Sequence, residues 1–141
     1  VYFSAFRPVA GTAFEGKEKE QSWREHRLYQ VDWLHRVYGL KREEILVAFD
    51  DDGFLRNGDP KMAIAVNFFD SPIDPNSASF SELIRVPGIG PKSARRISLL
   101  RKEKRIERMR DLAALGVVVR RAGPFLKIDG RCETTLDRWI R

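Results

Sequence analysis

At 141 residues, 43 % hydrophobic and 33 % charged, with nine Phe, three Trp and three Tyr, the chain has the balance of a folded protein and is too aromatic for a disordered tail. Cys132 is its only cysteine, which excludes an internal disulfide, a zinc finger and a cysteine-held iron–sulfur cluster. The net charge of +6 is concentrated in residues 85–110, where ten Lys or Arg stand against Glu103 and Glu107, as in a polyanion-binding surface or a solvated helix face.

Val1-Tyr-Phe-Ser-Ala-Phe6 reads as a β-strand that begins abruptly, as though the chain were the C-terminal piece of something longer. Gly11 to Gln21, polar and without apolar periodicity, reads as a linker, so residues 1–21 are expected to be a terminal strand and linker. Ser22-Trp-Arg-Glu25 has capping-box spacing, and Leu28, Val31, Leu34 and Tyr38 recur at helical intervals up to a stop at Gly39. His26 and His35 on that helix have no second ligand at metal spacing and read as surface or packing residues. The neighbouring Arg24-Glu-His-Arg27 is a polar cluster or simply a solvated first turn.

A short helix is expected over Arg42 to Phe49, with Glu43 and Glu44 at its positive end. Asp50-Asp-Asp-Gly53 lacks the alternating ligands and the closing Glu of a calcium loop and reads as a turn. Asp59-Pro60 opens a third helix over Lys61 to Phe69, with Met62, Val66 and Phe69 expected on one face. Ser71-Pro72 and Asp74-Pro75 form a stiff connector, which sets the expected organisation as a helical subdomain over 22–71 and a second subdomain over 72–130.

The second subdomain opens on another capping box, Ser79-Phe-Ser-Glu82, followed by Phe80, Leu83 and Ile84 as inward residues. Val86-Pro-Gly-Ile-Gly-Pro-Lys-Ser-Ala-Arg-Arg-Ile97 follows. Pro87 stops the first helix, Gly88 and Gly90 permit a tight hairpin with Ile89 as its apolar plug, and Pro91 starts the next helix. Ala94, Ile97 and Leu100 make a buried stripe, which leaves Lys92, Arg95 and Arg96 facing largely away from it. Free N–H groups, a positive helix end and three cations thereby converge where a phosphate would sit, and a side chain in place of either glycine would hold that phosphate off. Nothing in the pattern reads bases.

Asp111 to Gly116 reads as a further helix, and Val117-Val-Val119 and Phe125-Leu-Lys-Ile128 as two short strands about Gly123-Pro124. Arg131 to Arg141 is a tail with helical character and Trp139 available for docking. No nucleophile–base pair, metal-ligand set or nucleotide loop is present, so no catalytic residue is assigned.

The pattern at Val86–Ile97 resembles the helix-hairpin-helix family found in DNA polymerases, glycosylases, ligases and competence DNA receptors. Asn76-Ser-Ala-Ser79 with Glu82-Leu83 is similar to the lead-in of the competence-receptor type. The resemblance implies sequence-independent contact with a DNA backbone, double- or single-stranded, or with RNA. It implies phosphate-binding amides at Gly88, Gly90 and Lys92 and cationic contacts at Lys92 and Arg95, within a surface of Gly88, Ile89, Gly90, Lys92, Ser93, Arg95 and Arg96. It also implies a monovalent cation held by the carbonyls of Ile84, Val86 and Ile89.

Tyr2-Phe-Ser-Ala-Phe6, Arg24 to Gly39 and the hairpin together resemble the C-terminal part of the DNA modification/repair radical SAM proteins. That resemblance implies an upstream partial TIM-like barrel carrying a 4Fe-4S cluster and S-adenosylmethionine, of which the opening strand would be the end. The CxxxCxxC cluster motif is absent from these residues, so no catalytic role transfers.

The expected fold is mainly α: a helical subdomain, then a helix-hairpin-helix subdomain with two short strands. The expected function is non-catalytic DNA binding on behalf of a parent enzyme, in the cytoplasm and without membrane contact. The alternatives are an interaction or intramolecular scaffold, in which the hairpin docks on the barrel, and an enzyme with its site in this chain.

Overall fold

The computed structural model describes residues 2–132, and the tail reading beyond Cys132 lies outside them. The chain divides into two compact units, Val1–Pro60 and Lys61–Arg141. The third helix therefore belongs with the hairpin, and the division falls ahead of the Ser71-Pro72 connector.

The first unit is built on α1 (Ser22–Arg36) and α2 (Arg42–Leu46). The expected capping box at Ser22 does not form. The N-cap is Gln21, which makes no side-chain cap, and the Glu25 carboxylate instead accepts the amide of Ala5 at 2.9 Å. The same interaction explains why the opening residues are not a strand. Phe3 exchanges hydrogen bonds with the Tyr29 hydroxyl at 3.1 Å through both its N–H and its carbonyl, and its ring meets Tyr29 edge-on at 5.2 Å. Side chains of α1 thus take the backbone groups that a neighbouring strand would have taken.

Arg24 is likewise structural: it pairs with Glu20 at 2.7 Å, and its guanidinium lies 5.2 Å from the Phe54 ring centre. α1 ends where Gly39 turns left-handed at φ +68°, and Leu40 returns its amide to Leu34 O at 3.1 Å. His35 Nδ1 is 2.9 Å from the Leu40 carbonyl, so that histidine serves the same helix end. Asp50 closes the acidic turn through its carboxylate, which accepts the Phe54 amide at 2.7 Å. Among the described residues no three His, Cys, Asp or Glu side chains come together as a metal-ligand set.

The second unit starts with the body of α3 (Pro60–Phe68). Its buried side carries Lys61, Ile64, Ala65 and, just past the helix, Phe69, while Val66 is exposed. This differs from the expected Met62, Val66 and Phe69 face. α4 (Phe80–Arg85), α5 (Pro91–Glu103), α6 (Met109–Ala114) and α7 (Val119–Ala122) follow, the last continuing into a 3-10 turn over Gly123–Phe125. Leu83, Val86, Ile89, Ala94, Ile97, Leu112 and Phe125 are completely buried and form the core, whereas Phe80, expected inward, stays 40 % exposed.

The described residues hold seven α-helices and no β-strand. Val119, expected in a strand, opens α7 because the amides of Arg121 and Ala122 return to Val118 O. Phe125 to Ile128 is extended only in part and touches Ile73 at a single parallel bridge, with Ile73 N–H donating to Phe125 O and Lys127 N–H to Ile73 O, both at 2.9 Å. No helix of the described residues is long and apolar enough to cross a membrane.

Candidate nucleic-acid interface

The hairpin is held from several directions before any ligand arrives. The Ser79 capping box forms as its spacing predicts: Ser79 Oγ accepts the Glu82 amide at 3.1 Å and Glu82 Oε2 accepts the Ser79 amide at 2.7 Å. These two bonds, the backbone one first, hold the Glu82 carboxyl below the usual carboxylate range. The lead-in is tied by Asn76, whose side chain accepts the Ile106 amide at 2.8 Å and donates to the Ile106 carbonyl at 2.9 Å. Arg101 of α5 donates to the carbonyls of Pro75 and Ala78, which fixes the same loop to the second hairpin helix.

At the turn, Gly88 adopts φ +87°, and a Cβ built there would stand 2.5 Å from the Val118 carbonyl oxygen and 3.1 Å from Arg121 Cβ. Glycine is required at this position by backbone conformation and by packing against the start of α7, not by clearance for a phosphate. The Gly88 carbonyl also accepts the Val118 amide at 2.9 Å. Ile89 is sealed in the core; its amide donates to Val86 O at 3.1 Å and its carbonyl accepts from Lys61, so it anchors the hairpin. Gly90, extended at φ −96°, is the N-cap of α5, and Pro91 takes the first helical position.

Ser93 is also inward: its hydroxyl donates to the Gly116 carbonyl at 2.9 Å, and only its amide belongs to the open first turn of α5. Arg96 is exposed and leans on Leu115 O at 3.4 Å, and Gly116 turns left-handed at φ +86° directly beside these two side chains. Lys92 and Arg95 are exposed, and neither pairs with another described residue. Lys92, Arg95 and Arg96 thus all lie exposed in the first two turns of a 13-residue helix whose N-terminal amides are open.

The ten-cation block is not uniform. Arg85 is buried, donating to Ser81 O at 2.6 Å with its guanidinium 4.8 Å from the Phe68 ring centre. Arg101 holds the lead-in loop, and Arg105 pairs with Asp129 at 2.7 Å. Three members of the block therefore stabilise the unit, leaving the others to shape its external field.

Two residues outside the expected site abut it. Arg121 of α7 places its Cβ beside Gly88, and Lys61 of α3 reaches the Ile89 carbonyl. The signal for Lys61 was present in the sequence as a lysine three residues before Ile64 on the apolar face of a helix, and only the third dimension shows its partner.

A family profile for the helix-hairpin-helix motif matches residues 70–118, spanning the lead-in, α4, the Val86–Gly90 turn, α5 and α6. No curated protein and no solved structure matches the chain. The segment carries a helix-hairpin-helix motif, and contact with DNA is what that motif implies.

Proposed function

We propose that the second unit binds the phosphate backbone of DNA without regard to sequence. The observation that carries this reading is that exposed Lys92 and Arg95 lie in the first two turns of α5, whose N-terminal amides are open, beside a turn that Gly88 pins against Val118. An anion there meets backbone N–H groups, the positive end of a helix and exposed cations at once. Backbone amides and the charged ends of Lys and Arg at a helix N-terminus contact phosphate oxygens, which carry no sequence information, so the recognition proposed stops at the phosphates. Gly88, Gly90, Lys92 and the Ser93 amide cradle the phosphate, and Lys92, Arg95 and Arg96 supply its charge partners. The protein acts in the cytoplasm.

In its finer form, this reading makes the chain the DNA-engaging part of a radical SAM enzyme, on the strength of the resemblance at Tyr2–Phe6, Arg24–Gly39 and the hairpin. The chain's own residues do not fit a 4Fe-4S cluster, since Cys132 is its single thiol, and exposed. Cluster and S-adenosylmethionine would belong to residues outside this chain, and this chain would present the nucleic acid to them.

Fluorescence anisotropy with labelled duplexes of two unrelated sequences, and with a single strand, tests the proposal. The parent is expected to bind both duplexes with affinities within about threefold of each other. The triple variant Lys92→Ala, Arg95→Ala, Arg96→Ala is expected to lose at least tenfold in affinity at low salt. Absence of binding by the parent at low salt, or equal binding by parent and variant, overturns it.

A further inference from the structure

The carbonyls of Ile84, Val86 and Ile89, which the family resemblance implies as ligands of a monovalent cation, do not fit such an ion here. The Val86 carbonyl, which accepts the Ile89 amide at 3.1 Å, keeps a second lone pair, but the Ile89 carbonyl accepts from Lys61 Nζ at 2.5 Å, so an ammonium holds the place a free ion would take. Lys61 is 8 % exposed. A lysine is seldom buried so far unless its charge meets a partner, and its ammonium offers three donors where a metal ion would need several oxygens gathered around it.

We propose that the Lys61 ammonium is the hairpin's resident cation, a covalently attached substitute for a free monovalent ion. Its position follows from the chain. Pro60 opens α3, and Lys61 stands on the side of that helix that buries Ile64 and Ala65, which directs its stem into the unit. The ammonium reaches the Ile89 carbonyl, which in the planar trans peptide points opposite to the amide of Gly90, the N-cap of α5. A second monovalent cation at the same carbonyl would be repelled by the first at close range in a poorly solvated setting. Lys61 is thus a positioning residue: it orients the Ile89–Gly90 peptide and places one fixed positive charge behind the phosphate site. The consequence is a hairpin whose stability is indifferent to which alkali ion is in solution.

The DNA arm of the test rests on the proposed function, and the stability arm does not. Thermal unfolding of the full chain is compared in potassium, sodium and tetramethylammonium chloride at one fixed concentration. The parent midpoint is expected to agree within about 1 °C across the three salts, because a specifically bound ion would raise it with that ion alone. Lys61→Ala is expected to lower the midpoint by several degrees and to make it rise selectively in potassium or sodium; Lys61→Arg, which keeps the charge, is expected to remain salt-indifferent. A potassium- or sodium-specific rise in the parent overturns the proposal without need of any variant, as does a Lys61→Ala chain that is as stable and as salt-indifferent as the parent. In anisotropy, the parent is expected to bind duplex equally in the three salts within about twofold and Lys61→Met about fivefold more weakly. Should the parent bind no DNA yet behave as described in the melts, the ammonium assignment stands and the DNA reading falls.

Discussion

Both units contain a glycine that turns the backbone left-handed after a helix, Gly39 at φ +68° and Gly88 at φ +87°, but only one of them is enclosed. A Cβ at Gly39 would meet nothing within 4 Å, whereas at Gly88 it would strike the Val118 carbonyl. The units differ in the same sense. The first buries Leu34, Leu40, Ile45, Ala48 and Leu55 and leaves Tyr2, Phe14, Trp33 and Phe54 more than half exposed, while the second seals Leu83, Val86, Ile89 and Ile97 completely. A turn that merely ends a helix needs only a permissive residue. The hairpin turn has, besides a permissive residue, neighbours that forbid it to move.

Substitutions at paired positions sharpen this contrast. Gly88→Ala combines a disfavoured φ with a backbone clash and is expected to destabilise by about 3 kcal/mol or more in urea unfolding. Gly39→Ala adds only the conformational penalty and is expected to cost about 1 kcal/mol. Equal effects at the two sites would contradict the enclosure of the hairpin. Ser79→Ala removes the cap of α4 and is expected to cost about 1 kcal/mol.

Its partner Glu82 tests the same box by pH. The Glu82 carboxyl is held below its ordinary range, by the Ser79 amide first and the Ser79 hydroxyl second. Its stabilising contribution is therefore fully present above the unfolded-state value of about 4.3 and is lost as pH falls through the lower folded value. Glu82→Gln is expected to be less stable than the parent at pH 7, with the gap closing below about pH 4; a gap that persists in acid would show that the charge is not the cause. In the first unit Asp32 is also held low, chiefly by its hydrogen bonds to Arg36, whose guanidinium is exposed on α1. Asp32→Asn is expected to give the smallest effect of the set, a change in thermal midpoint below that of Ser79→Ala.

The sequence was most informative where structure is local. The Ser79 box, the Pro87 stop, the left-handed Gly88 and Pro91 at the first turn of α5 all lie within a few residues of the groups they act on. It was least informative where the deciding partner is remote. Glu25 has the spacing to cap α1, but the Ala5 amide takes its carboxylate. Val117 to Val119 has strand composition, but the Val118 amide is claimed by Gly88 O and the next residues wind into α7. Within the site, helical spacing set Lys92, Arg95 and Arg96 outward. It did not show that the Ser93 hydroxyl turns inward to Gly116, which leaves only the Ser93 amide at the open first turn of α5. A count of basic residues could not separate Lys92 from Arg85 or Arg101, because the partners that occupy the latter two are carbonyls brought up by folding.

That separation is most directly tested by the salt dependence of DNA binding. Each phosphate neutralised contributes about 0.9 to the slope of log affinity against log salt. Replacing Lys92 and Arg95 together by Ala is expected to reduce that slope by about 2 while leaving the melting temperature near that of the parent. Replacing Arg101 by Gln is expected to lower the melting temperature and leave the slope unchanged. A slope that falls with Arg101 and is untouched by the loss of Lys92 and Arg95 would contradict the placement of the phosphate at the N-terminus of α5.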